Sequence, residues 1–399
     1  MNDIRMTDRH SNSATDSASS ATSELPKRDY ILLPLISLLT IVILFGAAEG
    51  LTRWIWPEQK LISCEIDDPV SGTRFKPNCS ARVKNAEGPW STYQFNDCGY
   101  RSNTSCATKP GGSARIAIIG SSVAQALYVP YEQTYFGRLA SDLNRICDRP
   151  VDVQNLGVLN VSPIDTYRRI PEAVQLKPDV VVYMVAPFDL EKQIDPQALA
   201  ERDAPRSAAE PPAATLVLSP MKRFQQAVIK GRSVLVAQHF LFENKETFLR
   251  VYLLYGDKAD FLRRPFTSAW QQRFADLDVL IGAMADKLRA ANIPLLVVAV
   301  PSRAESALLS SPQLPPNIDP FAFGRRINEI AAKHGAGYVD LMDVFSKIPD
   351  AQNMYYVVDG HITAEGQAVM ARAILHKLQD GTIPAFSQCS PHESAERRN

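Results

Sequence analysis

Asp359 and His361, two residues apart in Val358-Asp359-Gly360-His361-Ile362, are the first pair in this chain whose types and spacing could do chemistry. In an extended loop, residues i and i+2 point the same way, so the carboxylate can reach the imidazole without long-range assembly. A carboxylate, an imidazole and a hydroxyl nucleophile together make a hydrolytic triad. Ser122 offers the hydroxyl, in the run RIAIIGSSVAQ from Arg115 to Gln125. That run reads as a buried strand, Ile116–Ile119, then a tight Gly120-Ser121-Ser122 turn, then the start of a helix. A serine at the positive end of a helix is well placed for a nucleophile, and its own N–H can help bind a developing oxyanion. Plainer readings stand beside these. Ser122 is also a good helix N-cap, and Asp359-Gly360 is a common turn dipeptide that can carry an incidental histidine. Of the other histidines, His10 and His392 fall in polar tails, and His239, His334 and His376 fall in helical stretches as surface residues.

The elements around these residues alternate strand and helix. A helix is expected over residues 123–146, and a strand at Val151–Gln154 that ends at Asn155-Leu156-Gly157. A helix covers about 164–176, and Val180–Val185 is a continuous apolar strand, as expected when both faces of a sheet are covered. Trp270, Phe274, Leu277, Ile281, Met284 and Leu288 recur at helical spacing and give one apolar face. Strands follow at 295–300 and from Gly337 to Asp340, with helices at 321–334 and from Thr363 to Leu378, Thr363 serving as N-cap. Strands alternating with helices imply a parallel sheet with helices on both faces. In such a sheet ligands bind beyond the carboxyl ends of the strands. Ser122 and His361 both follow a strand, so the pattern places them on the same side.

The chain has 399 residues, enough for one large domain or two ordinary ones. Lys plus Arg and Asp plus Glu are 43 each, which gives no basic surface for nucleic acid. No period of 20–50 residues recurs, which argues against solenoids and propellers. Residues 1–28, rich in Ser, Thr, Asp and Asn, read as a disordered cytoplasmic tail. Residues 29–53 read as a transmembrane anchor. Their uncharged run, residues 30–48, spans about 28 Å at 1.5 Å per residue, close to the thickness of a bilayer core. Lys27 and Arg28 precede it, which favours a cytoplasmic N-terminus, and Trp54 and Trp56 follow at the far interface. A cleaved signal peptide ending at Gly46-Ala47-Ala48 competes, against the length of the apolar run.

Residues 54–114 read as a loop-rich collar with a few short strands. Residues 191–266 break the α/β rhythm with a linker through Pro211-Pro212 and two amphipathic helices, around 220–240 and 244–256. They read as an insertion packed on the main domain, with a lid or a membrane-surface or partner-binding insertion as the alternative. Residues 381–399 form a C-terminal tail. All six cysteines lie after the apolar segment, and none has metal-ligand spacing. An even number on one side of a membrane segment suggests disulfides, with the near neighbours Cys64–Cys79 and Cys98–Cys106 as pairs. Six buried thiols are the alternative.

From about Asn96 to Leu378 the chain resembles the SGNH/GDSL-type hydrolases, in particular membrane-anchored bacterial esterases and O-acetyltransferase-like members. Gly120-Ser121-Ser122 resembles the family's Gly-Asp-Ser block, and Asn155-Leu156-Gly157 the block whose glycine N–H helps form the oxyanion hole. Pro178-Asp179-Val180 through Phe188-Asp189-Leu190 resembles the third block, and Asp359-Gly360-His361 with Gly366 the last. Asn96-Asp97-Cys98-Gly99-Tyr100-Arg101 resembles a lead-in of many anchored members. The chain departs from the pattern at Ser121, where the family has Asp, and at Phe188, where the family has an oxyanion-donating Asn. Asn160 or another backbone N–H could substitute.

The resemblance implies a flavodoxin-like, three-layer α/β sandwich with a five-stranded parallel sheet over residues 115–380. It implies Ser122 as nucleophile, His361 as base, Asp359 as its orienting acid, and the Ser122 and Gly157 N–H groups as the oxyanion hole, with no metal or cofactor. The expected function is a serine esterase of the periplasmic side of the inner membrane, single-pass, acting through an acyl-serine on acyl esters, O-acetyl above all, of a carbohydrate or a small ester. Its partners would be that substrate and the bilayer, not nucleic acid. The alternatives are a polysaccharide O-acetyltransferase served by a membrane acyl-carrier partner, and a carbohydrate-binding or assembly protein that keeps the fold without catalysis.

Overall fold

The computed structural model describes residues 26–107, 109–205, 231–311 and 313–389. His10, His392, Pro211-Pro212, nearly all of the expected N-terminal tail and part of the C-terminal tail lie outside the described residues. The chain divides into two compact units, residues 1–50 and 51–399. The described part of the first is almost entirely helix α1 (Asp29–Ile55), which continues into the first residues of the second. α1 is long and apolar enough to cross a membrane, and none of its residues is buried.

The second unit begins with two antiparallel hairpins, β1 (Glu65–Asp68) with β2 (Gly72–Phe75) and β3 (Ser80–Lys84) with β4 (Trp90–Gln94). Along β4 exposed and buried residues alternate, the mark of a strand covered on one face. Its buried Tyr93 joins Phe75, Val83 and Phe95 in a small core that also takes in Leu127, Tyr128 and Tyr356 from beyond the collar. Both expected near-neighbour disulfides, Cys64–Cys79 and Cys98–Cys106, are formed. A third, Cys147–Cys389, ties the end of helix α2 (Tyr135–Ile146) to the last described residue.

Five strands make one parallel sheet: β5 (Ala114–Gly120), β6 (Val151–Asn155), β7 (Val180–Val185), β8 (Leu295–Ala299) and β9 (Gly337–Asp340). Their spatial order is β6-β5-β7-β8-β9, every neighbour parallel. Counted within the sheet this is 2-1-3-4-5, the flavodoxin-like order, whose topological switch point lies between the first and third strands. Here those are β5 and β7, and Ser122 follows β5 directly. The strands read as unbroken apolar runs because each face of the sheet has its own core. Ala117, Ile119, Val181, Tyr183, Val297 and Ala299 point to one side. Ile116, Ile118, Val180, Val182, Leu296 and Val298 point to the other.

The first face is covered by α3 (Pro163–Tyr167), α4 (Ile170–Gln175) and further helices later in the chain. After the short α5 (Pro196–Ala200) come α6 (Arg232–Glu243) and α7 (Lys245–Tyr252), then the long α8 (Ser268–Ala290), α9 (Arg303–Leu309) and α10 (Ala322–Lys333). The second face is covered by α2, α11 (Leu341–Phe345) and α12 (Ala364–Gln379). Phe242 of α6 and Phe248 and Leu249 of α7 enter the first core, so the helical insertion packs on the domain.

Three expectations need correction. The stretch 123–146 is not one helix, because Ser122 to Val129 is a run of turns and α2 starts only at Tyr135. Ala126 and Tyr128 sit at φ of 49° and 67°, in the left-handed region that ends a helix. The helix expected at 164–176 is two short ones, α3 and α4, the second with Pro171 in its first turn. Thr363 is the N-cap residue of α12, but its hydroxyl donates to the Met354 carbonyl at 3.1 Å and caps no helix N–H.

Candidate active site

β5 carries Ser122 past the end of the sheet on a turn that has little helix to stabilise it. Side chains from elsewhere do that instead. Gln125 N–H bonds the Ser121 carbonyl and Leu127 N–H the Ser122 carbonyl, giving about one helical turn. The carbonyls of that turn face inward and need donors. Arg101, fully buried, donates to the carbonyls of Gln125 at 2.6 Å, Ala126 at 3.1 Å and Val129 at 2.5 Å. Asn155 donates to the Ala124 carbonyl at 2.7 Å, and the Tyr93 hydroxyl accepts from Tyr128 N–H at 2.5 Å. The lead-in segment and the Asn155 block therefore build the floor under Ser122. Ser122 is not at a helix N-terminus, and the macrodipole invoked for it is absent.

The other two residues sit on the loop between α11 and α12. Tyr356 N–H bonds the His361 carbonyl at 2.9 Å and Gly360 N–H bonds the Tyr356 carbonyl at 3.0 Å, closing a tight loop. Gly360 turns it at φ 79°, where a side chain would be strained. The three residues form one continuous hydrogen-bonded line. Ser122 Oγ is 2.8 Å from His361 Nε2, and His361 Nδ1 is 2.5 Å from Asp359 Oδ1. The Asp359 side chain is 23% exposed and that of His361 19%, so both are mostly withdrawn from solvent. The rings of Tyr128 and Phe188 flank the imidazole at 5.9 Å and 6.1 Å between centroids.

The electrostatics follow from that geometry. Burial alone would push the His361 pKa down, but the Asp359 carboxylate outweighs it and raises it above the ordinary value. Burial pushes the Asp359 carboxyl up, and the His361 charge and hydrogen bonds, with help from the Asn85 amide, bring it below the ordinary value. Asp189 is a third carboxyl in the neighbourhood. Burial pushes it up to about 7, against the pull of the Ser121 hydroxyl, the Ala186 N–H and His361. Asn85 and Asp189 were not singled out from sequence as site residues. Asn85 lies 274 positions before Asp359, and no local pattern connects them.

The structure does not bring Gly157 into this group. Its N–H donates to Asn155 Oδ1 at 2.9 Å, and it lines neither cavity beside Ser122. Ser122 N–H, by contrast, makes no hydrogen bond among the described residues. Asn160, at φ 57°, lines a cavity together with Ser122 and His361. Phe188, where an amide donor was expected, instead puts a ring on the wall of a second cavity that also borders Ser122 and His361.

A profile of the GDSL-like lipase/acylhydrolase family matches residues 118–369, from the middle of β5 through the first turns of α12. The chain belongs to that family. It is an ester hydrolase by class, and the matched span holds Ser122, Asp359 and His361 together. Solved structures similar to it include TesA, at 15% identity and a TM-score of 0.36 over 66% of this chain and 98% of that one. An acetyl xylan esterase, AlAXEase, is 14% identical with a TM-score of 0.37, over 66% of this chain and 98% of that one. The psychrotrophic esterase EstA from Pseudoalteromonas sp. is 12% identical with a TM-score of 0.35, over 66% of this chain and 96% of that one. No curated protein sequence matches the chain.

Proposed function

We propose that this family member is a membrane-anchored serine esterase that works outside the cytoplasm and removes short acyl groups, acetyl above all, from a carbohydrate. The observation that carries the reading is the continuous hydrogen-bonded line Ser122–His361–Asp359, at 2.8 Å and 2.5 Å, standing between two cavities of unequal size.

The smaller cavity has about 30 Å³ of free volume. Val123, Ala126, Leu127, Phe188, Val300 and Pro301 give it mostly apolar walls. That is room for a group of about one or two waters' size, which suits a methyl. The larger, of about 430 Å³, is lined by Lys60, Glu65, Tyr128 and Asn160 among others, and suits a hydroxylated leaving group. The acyl end of the ester enters the small side and the sugar lies on the large side.

In the first half-reaction Ser122 Oγ attacks the acyl carbon while its proton passes to His361 Nε2. The carbon–oxygen bond to the sugar then breaks, and His361 returns the proton to the departing oxygen. Water next attacks the acyl-serine, His361 takes its proton, and Ser122 Oγ recovers a proton as the carboxylic acid leaves. Asp359 holds His361 in the tautomer with Nε2 free to accept. In each tetrahedral intermediate the oxyanion faces Ser122 N–H, with Asn160 as the second donor in place of Gly157 and Phe188.

The test is a series of p-nitrophenyl esters. Acetate should be turned over about 10²-fold more efficiently than butyrate, the discrimination expected when extra methylenes fit poorly in a small apolar pocket. Equal efficiency on butyrate or octanoate would remove the acetyl reading. Apolar α1, the Lys27-Arg28 pair before it and the three disulfides after it support the anchor and the oxidising side. Release of the full-length chain from washed membranes without detergent would sink the anchor.

A further inference from the structure

Two buried charged side chains hold the residues just ahead of His361 from opposite sides. Glu87 stands in the turn between β3 and β4, with its side chain only 2% exposed. Its carboxylate accepts from Val358 N–H at 3.0 Å and from Asp359 N–H at 2.9 Å. It also bonds His239 Nδ1, on α6, at 2.6 Å. Arg303 opens α9 and is 5% exposed. It donates to the Val357 carbonyl at 2.5 Å and to the Phe242 carbonyl, at the end of α6, at 2.7 Å. Its guanidinium lies 3.9 Å from the centroid of the Phe248 ring on α7.

Each side chain thus takes the segment Val357–Asp359 with one set of bonds and the helical insertion with another. A buried carboxylate is costly unless its bonds are made. Here they are made to two backbone N–H groups of the loop that carries Asp359, which have no other partner among the described residues. Burial drags the Arg303 guanidinium down to about 10, and the neighbouring Glu87 carboxylate holds it up. His239, which from sequence reads as a surface residue, is the link from this pair to α6, and its ring stands edge-on to Trp56 at 4.9 Å.

We propose that Glu87 and Arg303 are positioning residues: they fix the Val357–Asp359 backbone against α6, and so hold Asp359 and His361 in line with Ser122. The proposal rests on the reading of Ser122, His361 and Asp359 as the hydrolytic site. It assigns a task to the collar and to the insertion together. The loop that carries acid and base is held by Glu87, in a hairpin 271 residues before Val358, and by Arg303 on α9, 54 residues before Val357, and loss of either would misalign it by the fraction of an ångström that matters for proton transfer.

The experiment uses the full chain in mild detergent, with wild type, Glu87→Gln and Arg303→Lys. Gln keeps the shape of Glu87 but has one acceptor oxygen in place of two and no charge, so the grip is weakened. Lys keeps the charge of Arg303 but reaches one carbonyl in place of two. The readouts are kcat and KM on p-nitrophenyl acetate, their pH dependence, and the rate of labelling by a fluorophosphonate probe per folded molecule. Expected for Glu87→Gln is a fall in kcat and labelling rate of about 10–100-fold with KM nearly constant, the signature of a misplaced reacting group. Its acid limb should move to lower pH, because Asp359 no longer sustains the raised His361 pKa. Arg303→Lys should show the same signs in smaller measure, and it carries the test alone if Glu87→Gln does not fold. Wild-type kcat and labelling in the folded variants, or a loss confined to KM, would overturn the proposal. Failure of the wild type itself to label would overturn the site reading, a separate and distinguishable result.

Discussion

Ser122→Ala is expected to abolish fluorophosphonate labelling and to lower kcat on p-nitrophenyl acetate by about 10⁴–10⁶-fold, the range seen when a serine nucleophile is removed. The thermal midpoint should hardly move. The Ser122 hydroxyl has one side-chain partner, His361 Nε2, and the turn beneath it is carried by Arg101, Asn155 and Tyr93 rather than by the serine. A large loss of activity without loss of stability is the signature of a chemical role. A comparable loss of stability would mean that the line Ser122–His361–Asp359 is a structural network, and the binding-protein reading would regain ground. Asn160→Ala supplies the graded comparison. Removing one oxyanion donor costs about 10²–10³-fold, mostly in kcat, and leaves the nucleophile able to label. An unchanged kcat in that variant would mean that the second donor lies elsewhere.

The sheet and its helices were legible because burial leaves a periodic trace. Val180–Val185 is apolar throughout since both its faces meet a core, and Trp270 through Leu288 repeat at helical spacing since only one face of α8 does. Ser122, Asp359 and His361 were legible for another reason. Ser122 closely follows a recognisable strand, and Asp359 and His361 are neighbours in sequence just ahead of the last helix. What escaped the sequence is whatever depends on distant partners. The turn after Ser122 looked helical because Val123-Ala124-Gln125-Ala126-Leu127 contains neither Gly nor Pro. Its left-handed residues are Ala126 and Tyr128, which local preference disfavours and which Arg101 and Tyr93 hold in place from outside. Gly157 looked like a donor, yet its N–H is taken by Asn155 two residues away. Cys147–Cys389 joins positions 242 apart, while the two pairs with short loops could be anticipated from spacing. The grip of Glu87 on Val358 has no local sequence signature at all.

Asp359→Asn carries the second large effect, and it separates orientation from charge. In the wild type the base must be neutral to accept a proton, so activity rises with pH through the His361 pKa. That pKa is raised by Asp359 over the opposing effect of burial, so the acid limb should lie above the ordinary histidine value of about 6.5. Asn keeps the size of the side chain and removes the charge. Its amide can turn an N–H toward His361 Nδ1, which favours the tautomer carrying its proton on Nε2, facing Ser122 Oγ, where it cannot act as base. The expected fall in kcat is about 10⁴-fold, with the limb displaced to lower pH. Stability should follow the same pair with a defined sign. The raised His361 pKa contributes below its unfolded value and fades as pH rises through the folded one. The lowered Asp359 pKa contributes above its unfolded value and fades as pH falls through the folded one. Both conditions hold between about pH 4 and 6.5, so the melting difference between wild type and Asp359→Asn should be largest there and shrink toward pH 9. A fall in kcat with an unmoved limb would leave Asp359 an orienting role without an electrostatic one. A full retention of kcat would remove Asp359 from the site, and with it the reason for Glu87 and Arg303 to hold its backbone.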